Sequence, residues 1–276
     1  MSAAVHVGAP VADVAVHGET LAATDITMRF GGLTAVDGVS LIAEPASITS
    51  LIGPNGAGKT TFFNCLTGVL TPSSGEVHLG GQRLTGGTPD KRARAGLART
   101  FQRLEVFTGL SVFENLQVAV EAPAASSLWR SVFSLRHPER PDVTRRVRDV
   151  LELLGIAELA NTPAGALPTG LSRLVELGRA LCTQPRALLL DEPASGLDAA
   201  ETARLQEVLA LLADRGLTIL LVEHDVELVM ALSTQIYVLD FGRLIATGTP
   251  REISGSEVVR AAYLGVEDAD EEVTGS

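Results

Sequence analysis

Apolar and polar positions set out the elements of this chain before any composition is counted. Ile26, Met28 and Phe30 alternate with Thr27 and Arg29, the two-residue period of a half-buried strand. Gly31-Gly32 then predicts a turn, with further strands at Val39–Ile42 and Ile48–Ile52, the last ended by Gly53. A helix is expected from Lys59 to about Gly68. Thr71-Pro-Ser-Ser-Gly75 reads as a turn ahead of a hairpin strand at Glu76–Leu79. In the middle of the chain, Ser111 with Glu114 forms a capping box opening a helix to about Val120. Val143, Val147, Val150, Leu151 and Leu154 recur at helical spacing up to Gly155. Ser172 to about Cys182 reads as another helix. From there strands and helices alternate: Ala187–Asp191, then Ala199–Asp214 as a helix before Gly216, Leu217–Val222, Asp225–Leu232 as a helix, Ile236–Leu239 and Leu244–Ala246. Thr249-Pro-Arg-Glu252 caps a last short helix, with Pro250 at its first position. Such alternation predicts an α/β fold around a largely parallel sheet.

The pattern also sets the organisation. Residues 1–20 carry no period and read as a flexible tail. Residues 21–266 read as a single domain, with a mostly helical subdomain inserted at about 97–170. Residues 267–276 read as an acidic disordered tail. The segment Ala122–Pro141, rich in Pro, Ser and Ala, holds the only tryptophan, Trp129.

Composition changes this picture only in part. The chain has 276 residues, 46% of them apolar and 20% charged, enough for a sizeable core and unlike a disordered chain. Its net charge of −11 argues against nucleic acid as a partner. Cys65 and Cys182 lie far apart with no metal-ligand spacing and read as small buried hydrophobes in a reduced compartment. No stretch reaches the roughly 18–20 apolar residues that span a bilayer. No basic segment precedes an apolar block at the N-terminus, so the expected location is cytoplasmic, with membrane association only through partners.

The chemistry starts at Gly53-Pro54-Asn55-Gly56-Ala57-Gly58-Lys59-Thr60. This matches G-x-x-x-x-G-K-[ST] between a strand and a helix, the setting that makes the motif a phosphate-binding loop. Its glycines let the backbone wrap phosphate oxygens, and the helix N-terminus supplies positive potential. Lys59 reaches the β- and γ-phosphates, the Thr60 hydroxyl suits Mg²⁺, and Thr61 follows at the helix start. Lys59 and Lys91 are the only lysines of an arginine-rich chain. Downstream, the apolar strand ending in Asp191-Glu192 delivers a carboxylate for Mg²⁺ and then one to polarise the attacking water.

Together these motifs resemble an ABC ATPase. That resemblance implies a P-loop NTPase fold with a mostly parallel core sheet, an antiparallel β subdomain and an inserted α-helical subdomain. It implies further roles: Phe30 stacking on adenine, Gln102 in Ala98-Arg-Thr-Phe-Gln102 ligating Mg²⁺ and coupling to membrane subunits, Asp198 in Ser195-Gly-Leu-Asp198 at the dimer interface, and His224 at the γ-phosphate. Glu192 and His224 are the implied catalytic pair. Asp191, Thr60 and Gln102 are the implied metal ligands. Met28-Arg-Phe-Gly-Gly-Leu-Thr-Ala-Val36, Phe63-Asn-Cys-Leu-Thr-Gly68 and Ala262-Tyr-Leu-Gly265 narrow the resemblance to the ATP-binding subunits of branched-chain amino-acid importers, with the urea and amide importers almost indistinguishable. It covers about residues 22–266.

The family also implies ATP and Mg²⁺ as cofactors and a second ATPase subunit as a homo- or heterodimeric partner. Two transmembrane permease subunits and, indirectly, an extracytoplasmic solute-binding protein complete the implied set. An exporter ATPase is the rival transport reading. A DNA-repair or translation ATPase would carry paired cassettes, a coiled coil or zinc fingers, and a nucleotide sensor without turnover would not need both Glu192 and His224. Trp129, Val132, Phe133 and Leu135 fit either contact with the membrane subunits or packing on the helical subdomain. One motif departs: the family's Leu-Ser-Gly-Gly-Gln stands here as Leu167-Pro168-Thr169-Gly170-Leu171. Pro168 lacks the serine hydroxyl that meets the partner's γ-phosphate, a hydrogen bond worth about 1.5–3 kcal/mol, while Gly170 keeps its amide. The expectation is an intact interface with a weakened composite site.

Overall fold

The computed structural model describes residues 17–100, 106–121 and 141–263. Two sheets share the chain. The smaller is antiparallel, in the order β2 (Leu33–Ala43), β1 (Leu21–Phe30), β4 (Ser74–Leu79), β5 (Gln82–Arg83). In β1, Leu21, Ala23 and Ile26 point into a core that also takes Val39 and Leu41 of β2. The pairing of β1 with β2 shifts register between Ala23 and Ile26, where Asp25 takes a positive φ of 49°. The first described residues are tied to the core: the Gly18 amide donates to the Gly216 carbonyl at 3.1 Å and the Glu19 amide to the Arg186 carbonyl at 3.0 Å.

The larger sheet runs β10 (Arg243–Gly248), β9 (Gln235–Asp240), β3 (Ser47–Ile52), β8 (Thr218–Val222), β7 (Ala187–Asp191), β6 (Leu97–Arg99). All neighbours are parallel except β10, which folds back on β9. Every residue of β7 and β8 is buried. Both faces of these strands are covered, so their sequence is a continuous apolar run rather than an alternation. This mostly parallel sheet with flanking helices is the expected α/β architecture. One boundary differs: Leu97–Arg99, assigned from sequence to the start of the helical insertion, is an edge strand paired in parallel with Ala187–Leu189. Three residues are too short for a period to show.

Eight helices are named among the described residues. α1 (Lys59–Thr67) follows β3, and α2 (Pro89–Arg94), which has no sequence period to announce it, is capped by Thr88. α3 (Val112–Glu121), α4 (Pro141–Leu153) and α5 (Thr169–Cys182) pack as the helical subdomain through Val112, Leu116, Val147, Leu151, Leu174 and Leu177. The predicted box opens α3: the Ser111 amide donates to Glu114 Oε2 at 2.7 Å, and the Glu114 amide to Ser111 Oγ at 3.2 Å. Helix α5 starts three residues earlier than expected, with Pro168 at its N-cap. Then come α6 (Ala199–Asp214), α7 (Val226–Leu232) and α8 (Pro250–Ser254), each with a side-chain cap: Asp198, Asp225 and Thr249. Gln102, Trp129, Val132, Phe133 and Leu135 lie outside the described residues, as do residues 1–16 and 264–276.

Candidate active site

The C-terminal ends of β3, β7 and β8 meet at one edge of the parallel sheet, where open α/β sheets place their ligand sites. From β3 the chain enters the phosphate-binding loop. Gly53 has a φ of 152°, and a β-carbon there would lie 2.0 Å from the Leu239 carbonyl oxygen, so no other residue fits. Gly58 closes the loop at φ 99°, and its β-carbon would lie 2.5 Å from the Ala35 carbonyl oxygen. Pro54 and Ala57 are buried, while Asn55, Gly56 and Thr60 face outward and Thr61 is half-buried. Gly58 is the N-cap of α1 and offers no side chain to its first-turn amides. Those amides are left for an anion.

Lys59 is buried and folds back over the loop. Its Nζ donates to the Gly53 carbonyl at 2.6 Å and to the Pro54 carbonyl at 2.9 Å. Burial lowers its pKa, against the nearby carboxylates of Glu192 and Asp191, which raise it. The ammonium is thus held at the mouth of the loop by carbonyls that a phosphate can replace.

Asp191, the last residue of β7, is buried. Burial and the Glu192 charge push its pKa up, and Arg99 and Lys59 pull it down. Glu192 sits just beyond the strand at φ 48°, with its amide donating to the Val222 carbonyl at 2.8 Å. That backbone region is uncommon for a non-glycine residue, and strain of this kind gathers at functional sites. His224 presents Nδ1 3.9 Å from Glu192 Oε1 and 3.8 Å from Glu223 Oε2. The P-loop lysine, Asp191, Glu192 and His224 thus lie together at this edge of the sheet.

Phe30 ends β1 half-exposed, beside the more exposed Leu33. Gly170 and Asp198 lie elsewhere in the chain's hydrogen-bond network and meet each other through Glu201. The Gly170 amide donates to Glu201 Oε1 at 3.1 Å, and the Asp198 amide to Glu201 Oε2 at 3.2 Å. The Asp198 carboxylate caps α6 by accepting from the Glu201 amide at 2.8 Å.

Sequence reading missed three residues here. Glu223, only 1% exposed, accepts from the Ala194 amide at 2.9 Å and the His224 amide at 3.2 Å, and burial raises its pKa. It ties the β8 exit to the segment after Glu192. Arg99 lies over the Phe63 ring at 5.5 Å and donates to Thr67 Oγ1 at 3.1 Å, beside Asp191. Tyr263 has a buried hydroxyl against the Gly53 amide, and burial raises its pKa. The first could have been flagged as a charged residue ending an apolar strand; the others depend on contacts between distant segments.

The fold and this edge of the sheet define a P-loop nucleotide-hydrolysing cassette. Residues 36–195 match the family model for the ABC transporter, and residues 243–269 match that for the branched-chain amino acid ATP-binding cassette transporter. The chain is 44% identical over 249 residues to the high-affinity branched-chain amino acid transport ATP-binding protein LivG of Escherichia coli K12, covering 89% of this chain and 97% of that one. It is 42% identical over 249 residues to BraF of Pseudomonas aeruginosa, with the same coverage. A solved ATP-binding cassette of an ABC transporter in its ADP conformation superposes with a TM-score of 0.81 at 31% identity, covering 90% of this chain and 99% of that one. The chain belongs to the ABC transporter family, as its ATP-hydrolysing subunit.

Proposed function

We propose that this subunit energises the import of branched-chain amino acids. The observation that carries the solute class is the match of residues 243–269 to the branched-chain model, beside relatives of that printed function along most of the chain. The nucleotide is ATP, with adenine on Phe30 and phosphates in the loop from Gly53 to Thr61. Glu192 orients the attacking water and accepts its proton, and His224 meets the γ-phosphate. Among the described residues no cluster of three or more His, Cys, Asp or Glu side chains holds a metal by itself. The donor set suits instead a hard cation that arrives with the phosphates: the outward Thr60 hydroxyl and the Asp191 carboxylate, with Gln102 as the third ligand. Mg²⁺ held there would neutralise developing phosphate charge. Everything else is positioning by this chain's own groups.

The working unit is a dimer of ATPase subunits, each ATP being held by one P-loop and by Gly170 and Asp198 of the other subunit. Two permease subunits anchor the pair at the inner face of the membrane and receive solute from an extracytoplasmic binding protein. No described helix is long and apolar enough to cross a membrane, which fits attachment through partners. Steady-state ATP hydrolysis by the purified chain, alone and mixed with the ATPase encoded beside it, tests the unit. Turnover in at least one mixture is expected, with Glu192→Gln reducing it about 100-fold or more, within the contribution of a positioned general base. Equal turnover in Glu192→Gln and wild type would remove Glu192 from its role. ATP-dependent uptake of labelled leucine rather than urea, in vesicles holding the permeases, tests the solute class.

A further inference from the structure

Beside the phosphate-binding loop, one aromatic side chain stands in an unfavourable place. β9 and β10 are joined by the two-residue turn Phe241-Gly242, with Arg243 paired to Asp240. Both turn residues have positive φ, 41° and 78°. This is the turn that normally selects Asn-Gly, because a bulky side chain is strained at the first position. Phe241 is nonetheless there, and at 87% exposed it is the most exposed large apolar side chain described. A strained backbone carrying an exposed aromatic gains nothing for folding from either feature; both point to a contact made outside the isolated chain.

The turn is fastened to the nucleotide loop. The Gly242 amide donates to the Ala57 carbonyl at 2.9 Å, and the Asp37 amide to the Gly242 carbonyl at 2.8 Å. Arg243 clamps Asp37 with Nε and Nη2 at 3.0 and 2.7 Å. Gly242 and Gly58 both press on the backbone of Ala35, in β2. Two residues before Ala35 is exposed Leu33, which pairs with Phe30 across the β1–β2 turn. Phe30, Leu33 and Phe241 therefore rise from one scaffold on the β2 side of the P-loop.

We infer that Phe241 is a specificity-determining residue that closes the base-side rim of the nucleotide site, contacting the nucleoside of ATP opposite or beside Phe30. The inference rests on the reading of Phe30 as the adenine-stacking residue. Aromatic contacts of this kind predict a loss of about 3- to 10-fold in affinity on removal. Phe241→Asn is the decisive variant, since asparagine suits the turn. Its melting temperature should rise by about 2–4 °C as the backbone strain at a positive φ is relieved. Calorimetric titration of the full chain with ADP should show the 3- to 10-fold loss, and titration with tripolyphosphate should show none. Phe241→Ala should lose ADP affinity equally.

Unchanged ADP affinity in Phe241→Asn overturns the inference. So does an equal loss for tripolyphosphate, which would mean that the turn acts through the shape of the P-loop. Unchanged ADP affinity with a weakened ATP-driven dimer would assign Phe241 to the contact between two subunits and overturn it as well. Phe30→Ala separates the two readings. A loss of ADP affinity in Phe30→Ala alone leaves the adenine reading standing and removes Phe241. No loss in either variant removes both.

Discussion

Arg92→Met is the substitution whose effect the structure sizes most directly. Arg92 lies on α2, yet its guanidinium is buried against the C-terminal end of the P-loop helix. Nη1 donates to the Cys65 carbonyl at 2.7 Å and to the Leu66 carbonyl, and Nε donates to the Gly87 carbonyl at 3.2 Å. The last carbonyls of a helix have no partner within it, and a cation there also opposes the helix dipole. Methionine keeps the apolar stem and removes all three donors. At about 1 kcal/mol for each acceptor left unpaired, two of them buried and the Gly87 carbonyl half-buried, the loss is about 3 kcal/mol. That is a large part of a typical folding stability of about 5–15 kcal/mol. At about 2–4 °C per kcal/mol for a domain near this size, melting should fall by roughly 6–12 °C. Arg94 on the same helix is the control. Its ion pair with Asp90, at 3.0 Å, is exposed on both sides and is worth about 0.3–0.5 kcal/mol. Arg94→Ala should therefore shift melting by no more than about 2 °C. Scanning calorimetry of the three proteins at neutral pH decides it. A shift under about 2 °C for Arg92→Met, or an equal shift for Arg94→Ala, would show that the buried guanidinium does not hold the helix end.

Two further outcomes are expected. Pro168→Ser places a capping hydroxyl on a residue whose φ of −57° and ψ of 162° already suit an N-cap, so melting should rise by about 2–4 °C for a cap of about 1 kcal/mol; an unchanged melting temperature would mean that the helix start is fully satisfied as it stands. Burial raises the Cys65 thiol to about 11, against the pull of Arg92, and the Cys182 thiol to about 12, whereas unfolded thiols ionise near 8.5. At pH 8 both thiols are therefore protonated in the fold, and a thiolate-specific reagent should label neither until denaturant is added; rapid labelling of the native chain would contradict their burial.

The strands and the loop chemistry were legible because each rests on local sequence. A β3-loop-α1 passage with glycines at 53, 56 and 58 can serve little else, and the Asp198, Asp225 and Thr249 caps are written within four residues of the helices they start. What escaped depends on segments far apart. Arg92 reads as one cation in a charged stretch; only the fold carries it 26 and 27 residues back to the end of α1. β6 has three residues and shows no period. It is a strand because Ala187–Leu189 offers it a parallel edge. Phe241 before Gly242 reads as a strand-end aromatic, and its strain appears only once both turn residues are seen at positive φ.

The departure at Pro168 shows why motif comparison alone misjudges a site. By sequence it removes a hydroxyl, and the start of α5 is left with a residue that can neither donate nor cap. In the fold a second carboxylate answers that loss. Glu201, from the first turn of α6, accepts the Gly170 amide, and a β-carbon at position 170 would lie 2.5 Å from its Cδ, so a larger residue there would push the carboxylate aside. The same carboxylate accepts the Asp198 amide and so joins the two segments proposed to face a second subunit. An anion thus already occupies the donor that the proposed dimer would turn toward a γ-phosphate. Engagement of that phosphate then exchanges one charge-assisted hydrogen bond for another, instead of ordering a free helix end. The amide is held in place, by Glu201, before any nucleotide arrives, but a phosphate has to displace that carboxylate to reach it, so the roughly 1.5–3 kcal/mol of the missing serine hydrogen bond is not recovered here.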